Sequence, residues 1–211
     1  MKKLLFTTAA VLLTVAAFAQ GTVTFANASS TPGWANPTFD RYVHWANATG
    51  FNPALTDGGL VNSNQVPGLT SLRAALYYAA STDVDPNFVG YVAASGGAAS
   101  FKTSVSATAG SWFGHNDTLD TIPNGTTANL VVFVWDTSVS ADPLSPAAQT
   151  GLYGHSAVFQ YTPPTNPLAL PSDFLMAGLT GFGVGFTVPE PGAFTLVSLG
   201  AAALLIFRRR K

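Results

Sequence analysis

The chain contains three histidines, His44, His115 and His155. His115, with Asp117 and Asp120 close behind it, forms the densest group able to move protons or hold a cation. Either role requires these side chains to converge in space, through their own elements or with others. Residue types alone make Gly114-His115-Asn116-Asp117 a solvated turn. No HExxH or comparable paired-histidine spacing occurs. Asp83-Val84-Asp85-Pro86-Asn87 opens like a calcium loop, yet Phe88 and Ala94 stand where an EF-hand requires Gly and Glu. That segment is expected to be a surface turn, with a looser oxygen-ligand site as the alternative.

Other chemistries find still less to work with. There is no Gly-x-Ser-x-Gly, and His155 and Ser156, as neighbours on a strand, point to opposite faces. A glycosidase needs two converging carboxylic acids, but the segment between the chain's two ends has no glutamate and no marked aspartate pair. Cysteine is absent, which excludes disulfides, thiolate metal sites and thiol nucleophiles. No catalytic residue, metal or cofactor is therefore assigned, and a non-enzymatic protein is expected. Trp34, Trp45 and Trp112 sit among Gly, Asn or Pro and are candidate sugar-stacking platforms. Trp135, inside an apolar run, is expected in the core.

The elements that must position these residues read as short strands between Gly, Pro, Asn and Asp clusters. Gly21–Asn27 alternates, with Val23 and Phe25 on one face. Leu72–Ala79 places Leu72, Ala74, Leu76 and Tyr78 together, and Ser100–Ser106 sets Phe101, Thr103 and Val105 against Lys102, Ser104 and Ser106. Leu130–Trp135 is apolar on both faces, as a central strand should be. His155–Tyr161 and Leu179–Thr187 complete the set. No sustained helical stripe interrupts them, so an all-β body is expected, a β-sandwich or jelly roll.

Charge separates this body from its ends. Charged residues are only 9% of the chain, and six of its nine cations are at the termini. Between Gln20 and Val188 the cations are Arg41, Arg73 and Lys102, against nine aspartates, a net charge of −6. Such a body cannot neutralise phosphates, so nucleic acid is not an expected partner.

Residues 1–19 have the composition of a secretory leader. Lys2 and Lys3 precede an apolar stretch, and Ala17-Phe18-Ala19 is a small-x-small cleavage signature that predicts a mature start at Gln20. A Sec-type translocon and a signal peptidase are the partners implied. At the other end, Val188-Pro189-Glu190-Pro191 precedes the uncharged, mostly apolar Gly192–Phe207, then Arg208, Arg209, Arg210 and Lys211. As a transmembrane helix, 192–207 would span roughly 24 Å, less than the ~30 Å hydrocarbon core, with the basic residues snorkelling to make up the difference. The Arg/Lys cluster should remain cytoplasmic, leaving the body across the membrane.

The Pro-Glu-Pro, short apolar helix and basic terminus together resemble the PEP-CTERM sorting signal of exopolysaccharide-producing Gram-negative bacteria. The resemblance covers Val188 to Lys211. It implies recognition of Pro189, Glu190 and Pro191 by an exosortase-like membrane enzyme, with 192–207 as a transient stop in the inner membrane. Processing would then deliver the body to the periplasm, cell surface or extracellular matrix. The organisation expected is a signal peptide at 1–19, an exported β-domain at 20–187 and a sorting signal at 188–211. Exopolysaccharide is a further candidate partner.

Overall fold

The computed structural model describes residues 20–27, 40–46, 58–61, 69–82, 85–102, 109–165 and 176–186. The expected signal helix (1–19), Trp34, Asp83 and the sorting segment with its transmembrane helix (188–211) lie outside the described residues. Among the described residues no helix is long and apolar enough to cross a membrane. The strands are β1 (Gln20–Phe25), β2 (Val43–Trp45), β3 (Leu72–Ala80), β4 (Val92–Ala93), β5 (Ala99–Ser100), β6 (His115–Pro123), β7 (Ala128–Asp136), β8 (Leu152–His155), β9 (Phe159–Tyr161) and β10 (Phe182–Phe186). Among the described residues the all-β expectation holds, with two short 3-10 turns added.

β7 organises the larger sheet. Its residues from Ala128 to Trp135 are all buried, as expected of a strand apolar on both faces. Antiparallel β3 pairs with it over nine positions, from Leu72↔Asp136 to Ala80↔Ala128. On its other side β7 takes both β8 and β9. The single strand expected at His155–Tyr161 is thus two, divided at Ser156–Val158. There the Ser156 Oγ replaces a strand partner, accepting the Val132 N–H at 3.0 Å and donating to the Ala157 carbonyl at 2.8 Å. β10 lies inside the sheet, antiparallel to β8 and parallel to β2. The order β2-β10-β8-β7-β3-β4, with β5 on β3 and β9 on β7, makes eight strands.

The remaining two strands, β1 and β6, form a separate antiparallel ribbon. The ribbon corrects the expectation of a turn at Gly114–Asp117: His115 opens a nine-residue strand. Its alternate residues Asp117 and Leu119 turn inward while Asn116 and Asp120 are exposed.

These layers bury both faces of β3 and β7. On one face Leu72, Ala74, Leu76 and Tyr78 join Leu130, Val132 and Val134 in a core with Val23, Phe25 and Leu119 of the ribbon. The hydroxyl of Tyr161 also donates to the Thr22 carbonyl at 2.8 Å. On the other face Ala75, Tyr77, Val131, Phe133 and Trp135 form a second cluster. Its cover is loop rather than strand: Phe88 and Tyr91 from residues 85–91, with Leu144 and Ala148 from the connection after β7. Each large apolar side chain buried in this way contributes roughly 1.5–3 kcal/mol.

Candidate functional site

Alternation along β6 brings His115 and Asp117 to one face, two residues apart. The His115 Nε2 stands 2.9 Å from Asp117 Oδ1, but off the line that a hydrogen bond requires. Asp117 is only 1% exposed, and neither carboxylate oxygen has a well-aligned donor. Burial pushes its pKa up to about 6, outweighing the His115 ring and the Gly96 amide, both of which favour the ionised form. Gly96 fits over the pair because it lacks a side chain: a Cβ there would come within 1.6 Å of Asp117 Oδ1. The same turn is tied to β6 by Ser95, whose N–H donates to the Thr118 carbonyl and whose Oγ accepts the Thr118 N–H. On the ribbon side the Phe25 ring meets His115 edge-on, with centroids 5.3 Å apart.

Asp120 does not join them. It is exposed, while Asp117, three residues earlier on the same strand, is buried. Among the described residues no group of three or more His, Cys, Asp or Glu side chains is placed to hold a metal. Asp117 and His115 are close neighbours without a hydrogen bond between them, and among the described residues no third His, Cys, Asp or Glu joins them. His155 and Ser156 diverge as expected: His155 is exposed, and the Ser156 hydroxyl is committed to backbone partners. His44 makes a separate contact with Asp40, Nε2 to Oδ2 at 2.5 Å, while its Nδ1 donates to the Gly58 carbonyl at 2.6 Å.

The stacking expectation for two tryptophans is corrected. Trp45 is 1% exposed and Trp112 fully buried, so neither presents a face to a sugar. Trp112 stacks on Phe25 with centroids 4.8 Å apart and donates its indole N–H to the Phe25 carbonyl. The adjacent turn residues seat the ring instead of exposing it. Asn27, itself buried, accepts the Trp112 N–H and donates to the Arg41 and Gly110 carbonyls. Trp135 is in the core, as expected.

A feature that sequence reasoning missed lies on the loop-covered face. A cavity of about 210 Å³ opens between the 85–91 loop and the 155–158 break, bordered by Asp85, Pro86, Phe88, Tyr91, His155 and Val158. Phe88 is the one non-glycine among the described residues with positive φ, at 59°. Its ring meets Tyr91, Phe133 and His155 edge-to-face, with centroids 5.5, 5.0 and 4.9 Å away. Those contacts hold a backbone conformation that ordinarily costs about 1–3 kcal/mol. The Asp85 side chain shapes the loop by accepting the Asn87 N–H at 2.7 Å, so this part of the expected calcium-like segment is a turn. The sequence signal was only the run of Asp, Pro and Asn before an aromatic.

The leader residues Ala17 and Ala19, the motif Val188–Pro191 and the terminal Arg208–Lys211 lie outside the described residues. Gln20, the expected first mature residue, is exposed and opens β1. No curated protein and no solved structure matches the chain. Its C-terminal segment does match a family model, PEP-CTERM protein-sorting motif, over residues 187–211. The match starts at the residue after β10 ends, so the chain carries a PEP-CTERM protein-sorting motif behind an all-β body.

Proposed function

We propose that this chain is a non-enzymatic protein of the cell surface or extracellular matrix, delivered by its C-terminal signal and then released from it. The sorting motif at residues 187–211 is the observation that carries the reading. The proposed order of events starts with Sec-type export and removal of residues 1–19. The chain then halts in the inner membrane of a Gram-negative host through 192–207, with Arg208–Lys211 in the cytoplasm. An exosortase-like enzyme recognises Pro189-Glu190-Pro191, and the body, residues 20–187, proceeds outward. We read that body as a lopsided β-sandwich, a two-stranded ribbon on an eight-stranded sheet.

Replacing Glu190 with Ala in the native host tests this reading. The expected result is accumulation of a tail-bearing precursor in the membrane fraction, with loss of the released body. Unchanged release would contradict recognition through the Pro-Glu-Pro motif.

A second reading, carbohydrate binding to surface or extracellular polysaccharide, loses Trp45 and Trp112 as platforms. It is supported instead by the aromatic-bordered cavity beside Phe88 and His155.

A further inference from the structure

The cavity between the 85–91 loop and the 155–158 break has both the size and the chemistry to select a ligand. Its volume, about 210 Å³, exceeds the ~150 Å³ of an apolar cavity that accommodates benzene, so one substituted six-membered ring fits. Apolar walls come from Pro86, Phe88, Tyr91 and Val158. Val158 is 44% exposed, which leaves the mouth open to solvent.

Two polar side chains at the border, His155 and Asp85, present acceptors. The Nδ1 of His155 lies 2.9 Å from the Ser156 carbonyl, which can only accept, so Nδ1 carries the hydrogen. In the neutral ring Nε2 is then an acceptor. Asp85 contributes a carboxylate, an acceptor when ionised. The Ser156 hydroxyl hydrogen is already directed at the Ala157 carbonyl. A matching ligand must bring its own donors on a ring with an apolar face. Anions are disfavoured by Asp85 and by the body's net charge of −6. A full positive charge would lose its hydration against four apolar side chains, with a single carboxylate in return. A hydroxyl-bearing neutral ring meets both conditions.

The Phe88 backbone supplies a second observation, independent of the cavity's volume. A bulky residue with positive φ persists only where its surroundings over-determine it, and such outliers cluster at binding sites. Here the outlier places the aromatic ring at the cavity border.

We propose that this cavity binds one neutral pyranose residue of a glycan. The proposal rests on the carbohydrate-binding reading and replaces its tryptophan platforms with Phe88, Tyr91, His155 and Asp85. The full chain, with its tail in detergent, would be titrated with methyl glucoside, galactoside, mannoside and N-acetylglucosaminide while backbone amide resonances are followed. At least one glycoside should give saturable shifts at His155, Ala157 and Val158. Val158→Trp, a change at an exposed position, should fill the cavity and weaken that binding by about tenfold or more. His155→Ala, which also removes one ring contact on Phe88, should weaken it when measured well below the variant's own melting temperature.

Saturable binding that maps elsewhere, or that Val158→Trp leaves intact, would overturn the cavity assignment while the carbohydrate reading survives. Equal binding of cyclohexane-ring amines or alcohols would overturn the sugar assignment alone. No saturable response to any glycoside, together with no retention on immobilised neutral polysaccharide, would overturn both.

Discussion

The two faces of the β3–β7 pair are both buried, but by different means. One is covered by a hydrogen-bonded ribbon, β1–β6, whose large side chains interlock with the sheet and with Trp45 and Trp112. The other is covered by loops, with Phe88 and Tyr91 arriving from one connection and Leu144 and Ala148 from another. A ribbon satisfies its own backbone groups and can close a core completely. Loops must be pinned residue by residue, as Asp85 pins Asn87 and the Asp142 carboxylate pins the Leu144 N–H. The loop-covered face accordingly carries both the strained residue and the cavity, while the ribbon-covered face carries Trp45 and Trp112, the largest fully buried side chains among the described residues.

Truncating the ribbon-covered core should do the most damage. Trp112→Ala removes a fully buried indole that stacks on Phe25, and is expected to cost about 3–5 kcal/mol in urea unfolding. A loss below ~1 kcal/mol would mean that this face is not the stabilising one. Gly96→Ala comes next, because the added methyl meets the buried Asp117 and the half-buried His115 side chains. About 1–3 kcal/mol should be lost, and the β6 amides should exchange faster with solvent.

Asp117→Asn separates charge from packing on the same face. The carboxyl's folded pKa, about 6, is raised from 3.8 by burial. Its contribution to stability is therefore complete below pH 3.8 and lost as pH rises through about 6. The asparagine variant should lack that part of the pH dependence, and at pH 8 should equal or exceed the parent by about 1–2 kcal/mol. Melting temperatures between pH 4 and 8, compared in parallel, would show it; identical profiles would contradict a buried, titrating Asp117. On the loop-covered face the effect should be smallest. Phe88→Gly loses the ring contacts but relieves the positive φ, so it should be about 1 kcal/mol less damaging than Phe88→Ala.

The contrast between the faces also explains what was legible in the sequence. β7 was visible because Leu130–Trp135 is apolar throughout, and β3 because its inward residues alternate. β6 was not: His115–Asp120 is polar, and half of a ribbon strand faces water, so its composition imitates a turn. Nothing local distinguishes a buried aspartate from a solvated one when its neighbour Gly96 lies 21 residues upstream. Trp112 misled for a related reason, since the Asn27 and Phe25 groups that seat it come from the far end of β1 rather than from its own neighbours. The cavity joins residues 85–91 to 155–158, a contact that no local pattern encodes. The sorting motif needed no fold to be read, because its residues form one contiguous segment.

The claim that the body is carried outward and parted from its signal is tested most directly by intact-mass analysis of the protein secreted by its native host. The predicted species begins at Gln20 and lacks Gly192–Lys211. A mature product that retains the apolar segment and the terminal Arg208–Lys211 would contradict release, leaving a β-domain permanently anchored in the membrane.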